Sequence, residues 1–277
     1  MDILEKALEK SVQNESIKNK KSESKVRPQS NIENKQQTFS LDWDTLAADG
    51  YLSREQVNLA LIEEYRMIKR PLITNAFGKG AKGIKRANLI LVTSSVPGEG
   101  KSFSAINLAL SIANERDKNV LLIDADVSKP TLATRLGITE SLGLIEYLES
   151  DDVDFSDICF KTDLPGLQVI PAGKRHAFST ELLSSNKMAE FVDELSQRYP
   201  DRIVIFDSPP LLSATQAEVL ASLVGQVVFV ISAETTMQST VQDAIKKLDS
   251  VDVVLALLNK SKHELKLDYY GYGQYGH

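Results

Sequence analysis

Cysteine is nearly missing: Cys159 stands alone in 277 residues. That excludes an internal disulfide framework and a cysteine-rich metal site, and it suits a reducing compartment. The three histidines, His176, His263 and His277, are scattered, which argues against a zinc cluster. Long apolar runs are missing too. The longest uncharged one, Val219 to Ala233, is too short for a bilayer and carries Ser222, Gly225, Gln226 and Ser232. Residues 1–20 lack the apolar stretch of a signal peptide. The expectation is a cytoplasmic chain with no direct membrane span. Nor is there an excess of basic residues: the net charge is −6 and the pI near 5.3, which argues against nucleic acid as the main partner. What is present is ordinary for a globular protein, with 42% hydrophobic and 25% charged residues.

Four regions follow from composition. Residues 1–38 are rich in Lys, Glu, Ser, Asn and Gln and read as a disordered polar segment, because they bury too little to offset ordering entropy. Ile3, Leu4, Ala7 and Leu8 repeat at helical spacing, so a short docking helix is the second reading there. Residues 39–87 read as a helical region and linker: Ser53 and Gln56 form a capping-box pattern, Pro71 ends the helix, and residues 74–87 carry Gly78, Gly80 and Gly83. Residues 88–260 alternate apolar strands with helices, and residues 261–277 form a Tyr-rich tail. Continuous apolar strands between helices predict a doubly wound α/β fold, a mostly parallel sheet with helices on both faces. The predicted strands are 89–93, 120–124, 168–171, 203–207, 227–232 and 253–258. The predicted helices include 102–114, 131–136, 142–148, 181–199, 216–224 and 238–249.

Residues 89–103 read LILVTSSVPGEGKSF: a buried strand, a Pro/Gly loop, Gly100-Lys101-Ser102, then a helix. That is the context of a phosphate loop. Backbone N–H groups over Val96, Pro97, Gly98, Glu99, Gly100, Lys101, Ser102 and Phe103 (proline excepted) converge on phosphate oxygens. Lys101 reaches the outer phosphates, and the Ser102 hydroxyl suits Mg²⁺. Ser95 stands where the usual pattern has its first Gly.

Two more strands end on acid. VLLIDAD closes on Asp124 and Asp126, whose side chains share one face of an extended chain, and IVIFDSPP places Asp207. Strand carboxyl ends form the ligand crevice of a doubly wound sheet, so all three should face the phosphate loop. Asp151, Asp152, Asp154 and Asp157 follow no predicted strand and read as a solvated loop.

The loop SSVPGEGKS with the LLIDAD and VIFDSPP strand ends resembles the bacterial tyrosine kinases, P-loop autokinases, over about residues 60–260. RYPDRIVIFDSPPLL and the terminal tyrosines look most like the exosortase (PEP-CTERM) and exopolysaccharide-associated subgroup. The resemblance implies ATP/ADP and Mg²⁺, with Lys101, Asp124, Asp126 and Asp207 catalytic and Ser102, Asp126 and Asp207 on the metal. Either Asp124 or Asp126 helps the incoming Tyr lose its proton. Asn259 stands where relatives contact adenine; a strand-terminating turn residue is the equal alternative. Lys129 replaces an Arg of the family, and Phe178-Ser179-Thr180 replaces its Asn-Pro.

Tyr269, Tyr270, Tyr272 and Tyr275 are separated by glycines and read as the phosphoacceptors. From Ser261 to Tyr275 the chain reaches about 46 Å extended, enough to enter a neighbour. Glu63, Arg66 and Lys69 resemble the family's assembly motif, or are ordinary solvated charges. The implied partners are a second copy in a homo-oligomer, with a ring as one form of it, and a membrane-anchored chain-length regulator that activates the chain and brings it to the inner face of the membrane. Two rivals share the fold. A partitioning ATPase would carry a Lys at the position of Val96. A nucleotide-switched scaffold would bind ATP without transfer.

Overall fold

In a computed structural model, residues 38–54, 58–78, 83–138, 141–198 and 201–262 are described. The strands are β1 (Thr38–Phe39), β2 (Leu89–Ser94), β3 (Asn119–Asp124), β4 (Phe160–Thr162), β5 (Leu167–Ile170), β6 (Arg202–Asp207), β7 (Gln226–Ser232) and β8 (Val253–Asn259). The helices are α1 (Trp43–Ala48), α2 (Leu59–Phe77), α3 (Lys101–Ala113), α4 (Leu132–Leu136), α5 (Leu144–Glu149), α6 (Phe155–Ile158), α7 (Ser179–Leu183), α8 (Asn186–Arg198), α9 (Thr215–Leu223) and α10 (Gln238–Ile245). The strands form one sheet in the order β1-β4-β5-β3-β6-β2-β7-β8, parallel except for the β4–β5 pair. The doubly wound α/β expectation holds.

The central strands are buried on both faces because an apolar layer covers each side. One layer holds Leu91, Ile123, Phe206, Phe229 and the inner residues of α8, Met188, Phe191, Val192 and Leu195. The other holds Ile90, Val92, Leu122 and Ile205 with α3, and it also takes in Leu41, Leu46, Tyr51, Tyr65 and Leu72. Residues 38–54 and 58–77 therefore share the core of the sheet.

Several local expectations are corrected. Helix α2 begins after Asn58, whose Oδ1 accepts from the Leu61 N–H at 3.1 Å, not at Ser53. Gln56 lies outside the described residues. Pro71 sits inside α2. One lost N–H bond does not stop the helix, because the fully buried Leu72 packs beyond it. The helix closes at Gly78, whose N–H donates to the Thr74 carbonyl at 2.8 Å. Residues 85–88 are tied down rather than free: the Arg86 guanidinium donates to Asp193 at 2.6 and 3.0 Å and to the Leu223 carbonyl at 2.9 Å. The helix expected over 181–199 is two, α7 and α8, since the Ser185 hydroxyl accepts from the Met188 N–H at 3.2 Å and caps the second. Of the acidic run, Asp157 accepts from the Asp154 N–H at 2.9 Å and starts α6.

Asp163 anchors the leading segment to the sheet. It accepts from Trp43 Nε1 at 2.8 Å, from the Leu41 N–H at 3.1 Å and from Ser40 at 3.3 Å. Burial opposes its charge, but these donors outweigh it and hold the carboxyl below its usual range. A depressed carboxyl stabilises the fold above its unfolded pKa and loses that contribution as pH falls through the folded value. Asp163→Asn is expected to cost about 1–2 kcal/mol, read as a lower urea midpoint at pH 7. The gap to wild type should close below about pH 4. An unchanged midpoint at pH 7 would refute the anchor.

Among the described residues no helix is long and apolar enough to cross a membrane. Cys159 is buried and free, and burial pushes its thiol up to about 11.

Candidate nucleotide site

Strand β2 delivers the chain into the loop Ser95–Gly100, and α3 starts at Lys101. Gly98 and Gly100 take φ of +87° and +99°, which turns the backbone so that the first turn of α3 faces the loop. Gly100 supplies no capping side chain, so the N-terminal N–H groups of this 13-residue helix remain for an anion. The loop borders a cleft of about 440 Å³ lined by Pro97, Gly98, Gly100, Lys101, Ser102 and Phe103. Asp126, Ser128, Lys129, Thr131 and Arg135 line it too, with Pro209, Pro210, Ser213 and Ala214.

Lys101 Nζ donates to Asp126 Oδ2 at 2.8 Å. The other Asp126 oxygen accepts from the Lys129 N–H at 3.2 Å. Asp124 and Asp207 are partners across the parallel β3–β6 pair. Asp124 is saturated by backbone: Oδ1 accepts from Asp126 at 3.2 Å, and Oδ2 from Thr131 and Leu132 at 3.0 Å each, which caps α4. Burial and the adjoining Asp207 push the Asp124 carboxyl up, and the Leu132 and Thr131 N–H groups oppose them. Asp207 differs. Both its oxygens are buried with no hydrogen-bond partner. Burial pushes it up; the Lys101 charge and the Ser102 hydroxyl, near but not in hydrogen-bonding geometry, draw it down.

Two uncommitted buried carboxylate oxygens beside a serine hydroxyl fit a hard divalent cation, which takes oxygen ligands and keeps waters. Among the described residues no three His, Cys, Asp or Glu side chains form a protein-only metal cage. Mg²⁺ needs none, since phosphates and water complete its shell.

The five residues expected at one rim, Lys101, Ser102, Asp124, Asp126 and Asp207, do come together. Three other expected ligands do not line the cleft. Glu99 is buried beneath the loop, where its carboxylate accepts from the Val96 N–H at 2.8 Å, the Ser232 N–H at 3.3 Å and the Thr236 hydroxyl. Val96 is thereby turned to Glu99. Asn259 donates to the Glu99 carbonyl at 2.8 Å, and Lys260 donates to the Gly98 carbonyl at 2.7 Å. The ends of β7 and β8 thus preset the loop. Motif reading missed Glu99's part, although a lone acid inside a phosphate-binding loop was the available signal. It also missed Arg135. Tyr269, Tyr270, Tyr272 and Tyr275 lie outside the described residues. Lys69, placed in the assembly motif, is buried and spent within the chain, on the Ser111 carbonyl at 2.7 Å and Glu115 at 2.8 Å. Glu63 and Arg66 pair with each other along α2.

The family description "AAA domain" matches residues 87–261. The tyrosine-protein kinase YwqD of Bacillus subtilis is 32% identical over 213 residues, 76% of this chain and 86% of that protein. EpsB of Ralstonia nicotianae is 33% identical over 190 residues, and the matched part is 68% of this chain but 25% of the relative. The solved BceF tyrosine kinase domain is 31% identical, covers 70% of this chain and 76% of that one, and superposes with a TM-score of 0.60. The chain belongs to the AAA-domain family of bacterial tyrosine-protein kinases and carries that family's nucleotide-binding fold.

Proposed function

We propose that this chain is an ATP- and Mg²⁺-dependent protein-tyrosine autokinase whose acceptors are Tyr269, Tyr270, Tyr272 and Tyr275. The observation that carries the reading is the Lys101–Asp126 pair, 2.8 Å apart at the mouth of the loop, with the unpartnered Asp207 beside it. The α3 N-terminus and Lys101 bind and orient the phosphates. Ser102 and Asp207 are the groups that would hold Mg²⁺, with Asp126 orienting its waters, and the ion when bound neutralises charge on the outer phosphates.

Asp126 is the base. It lines the cleft, whereas Asp124 is committed to three backbone donors. The acceptor phenol oxygen forms the new P–O bond as the bond to the ADP oxygen breaks, and the phenol proton passes to Asp126. A phenol is neutral near pH 7, so an acceptor for that proton is needed. Asn259 braces the loop through its amide N–H and is proposed to meet adenine as well. Transfer runs in trans within a homo-oligomer, because the tail's reach permits entry into a neighbour. A membrane-anchored chain-length regulator activates the chain at the membrane, in exopolysaccharide synthesis of the exosortase-associated kind.

The test is to incubate the purified chain with ATP and Mg²⁺, with and without a regulator's cytoplasmic tail, and to map phosphotyrosine by mass spectrometry. Label is expected on Tyr269–Tyr275. It should also appear on a Lys101→Met chain with an intact tail when an active tail-less chain is added. ATP hydrolysis without phosphotyrosine would favour the partitioning ATPase. Nucleotide binding with neither reaction would favour the scaffold.

A further inference from the structure

The α4 side of the cleft carries a cation that no motif marks. Arg135 lines the cleft with Lys101, Ser102, Asp126 and Thr131. Its Nη1 donates to the phenol oxygen of Tyr51, and no described carboxylate forms an ion pair with it. Lys101, by contrast, is paired with Asp126 at 2.8 Å. The Arg135 charge reaches Asp207, whose carboxyl it helps to draw down.

Tyr51 is a fixed post. It is buried, its ring centroid is 4.9 Å from that of Phe103 on the phosphate-loop helix, and the next backbone N–H, of Leu52, donates to Asn107 at 2.7 Å. A guanidinium offers five donors in a rigid fork, of which Tyr51 takes one.

We propose that Arg135 is a nucleotide-specificity residue: its guanidinium takes the terminal phosphate of ATP, and Tyr51 is the positioning residue that aims it. This rests on the nucleotide reading above. The loop amides and Lys101 serve the inner and bridging phosphates. The wall bearing Asp126 and Arg135, beside Asp207, is where the transferring group stands. A planar fork there matches phosphate oxygens and the charge that spreads over them during transfer. ADP lacks that phosphate and should not feel Arg135.

The experiment is calorimetry of Mg-ADP and of a magnesium-bound non-hydrolysable ATP analogue, on wild type, Arg135→Gln, Arg135→Lys and Tyr51→Phe. Arg135→Gln should bind ADP within about twofold of wild type and the analogue about ten- to hundredfold more weakly, the range of one charge-assisted hydrogen bond. Arg135→Lys should recover part of the analogue's affinity, and Tyr51→Phe should fall between. Unchanged analogue affinity in Arg135→Gln overturns the proposal. So does an equal loss for both nucleotides, which marks a merely structural residue. A wild type that binds neither nucleotide removes the nucleotide reading itself, and the proposal falls with it.

Discussion

Asp207→Asn is expected to melt a few degrees above wild type and to transfer phosphate about a hundred- to thousandfold more slowly. The two effects have one cause. Asp207 is wholly buried, and neither oxygen is hydrogen-bonded. A buried carboxylate whose oxygens have no hydrogen-bond partner costs stability, and removing its charge returns about 1–3 kcal/mol. On the proposed reading the carboxylate is kept because it would hold the divalent cation that neutralises the phosphates, which a neutral amide holds less well. Melting in the presence of a chelator and a phosphotransfer assay check the pair of effects. A variant that melts lower, or that keeps its rate, would show that Asp207 is a structural residue.

Gly100→Ala is expected to weaken Mg-ADP binding about a hundredfold, whereas Gly98→Ala should weaken it about tenfold. Both positions have positive φ, so an L side chain at either costs about 1–2 kcal/mol in backbone strain. They differ in what a Cβ meets. At Gly98 nothing lies within 4 Å; at Gly100 a Cβ would run into the amide nitrogen at the end of the Asn259 side chain. Asn259 can retreat only by giving up its bond to the Glu99 carbonyl, which fixes the loop. The double variant Gly100→Ala/Asn259→Ala removes the clash and leaves the φ strain, so it should bind more tightly than Gly100→Ala alone. Calorimetry with Mg-ADP decides. Equal losses at Gly98 and Gly100 would mean that Asn259 does not brace the loop.

The six long strands were legible because each is an apolar run with a turn at its end; the central ones are buried on both faces, whereas β8, at the edge, alternates half-buried and exposed residues. Strands β1 and β4, two and three residues long, carry no periodic signal; β1 pairs with β4 some 120 positions away, so only the folded chain creates it. Pro71 misled because local propensity favours a break, whereas packing of the next residue, Leu72, carries the helix on. Lys69 resembled a member of an assembly motif, yet α2 lies against α3 and turns its ammonium to the Ser111 carbonyl.

By itself, the sequence determined that a phosphate loop and three strand-end carboxylates share one edge of a parallel sheet. That follows from chain connectivity, since every parallel strand ends on the same side. Only the tertiary structure decided what each carboxylate does there. Asp124 is saturated by the backbone donors of α4, Asp126 meets Lys101, and Asp207 is left without a partner. The tertiary structure alone also turned Glu99 under the loop and brought Tyr51 to Arg135. These outcomes depend on which donors arrive from segments distant in the chain, and no local pattern of residues encodes that.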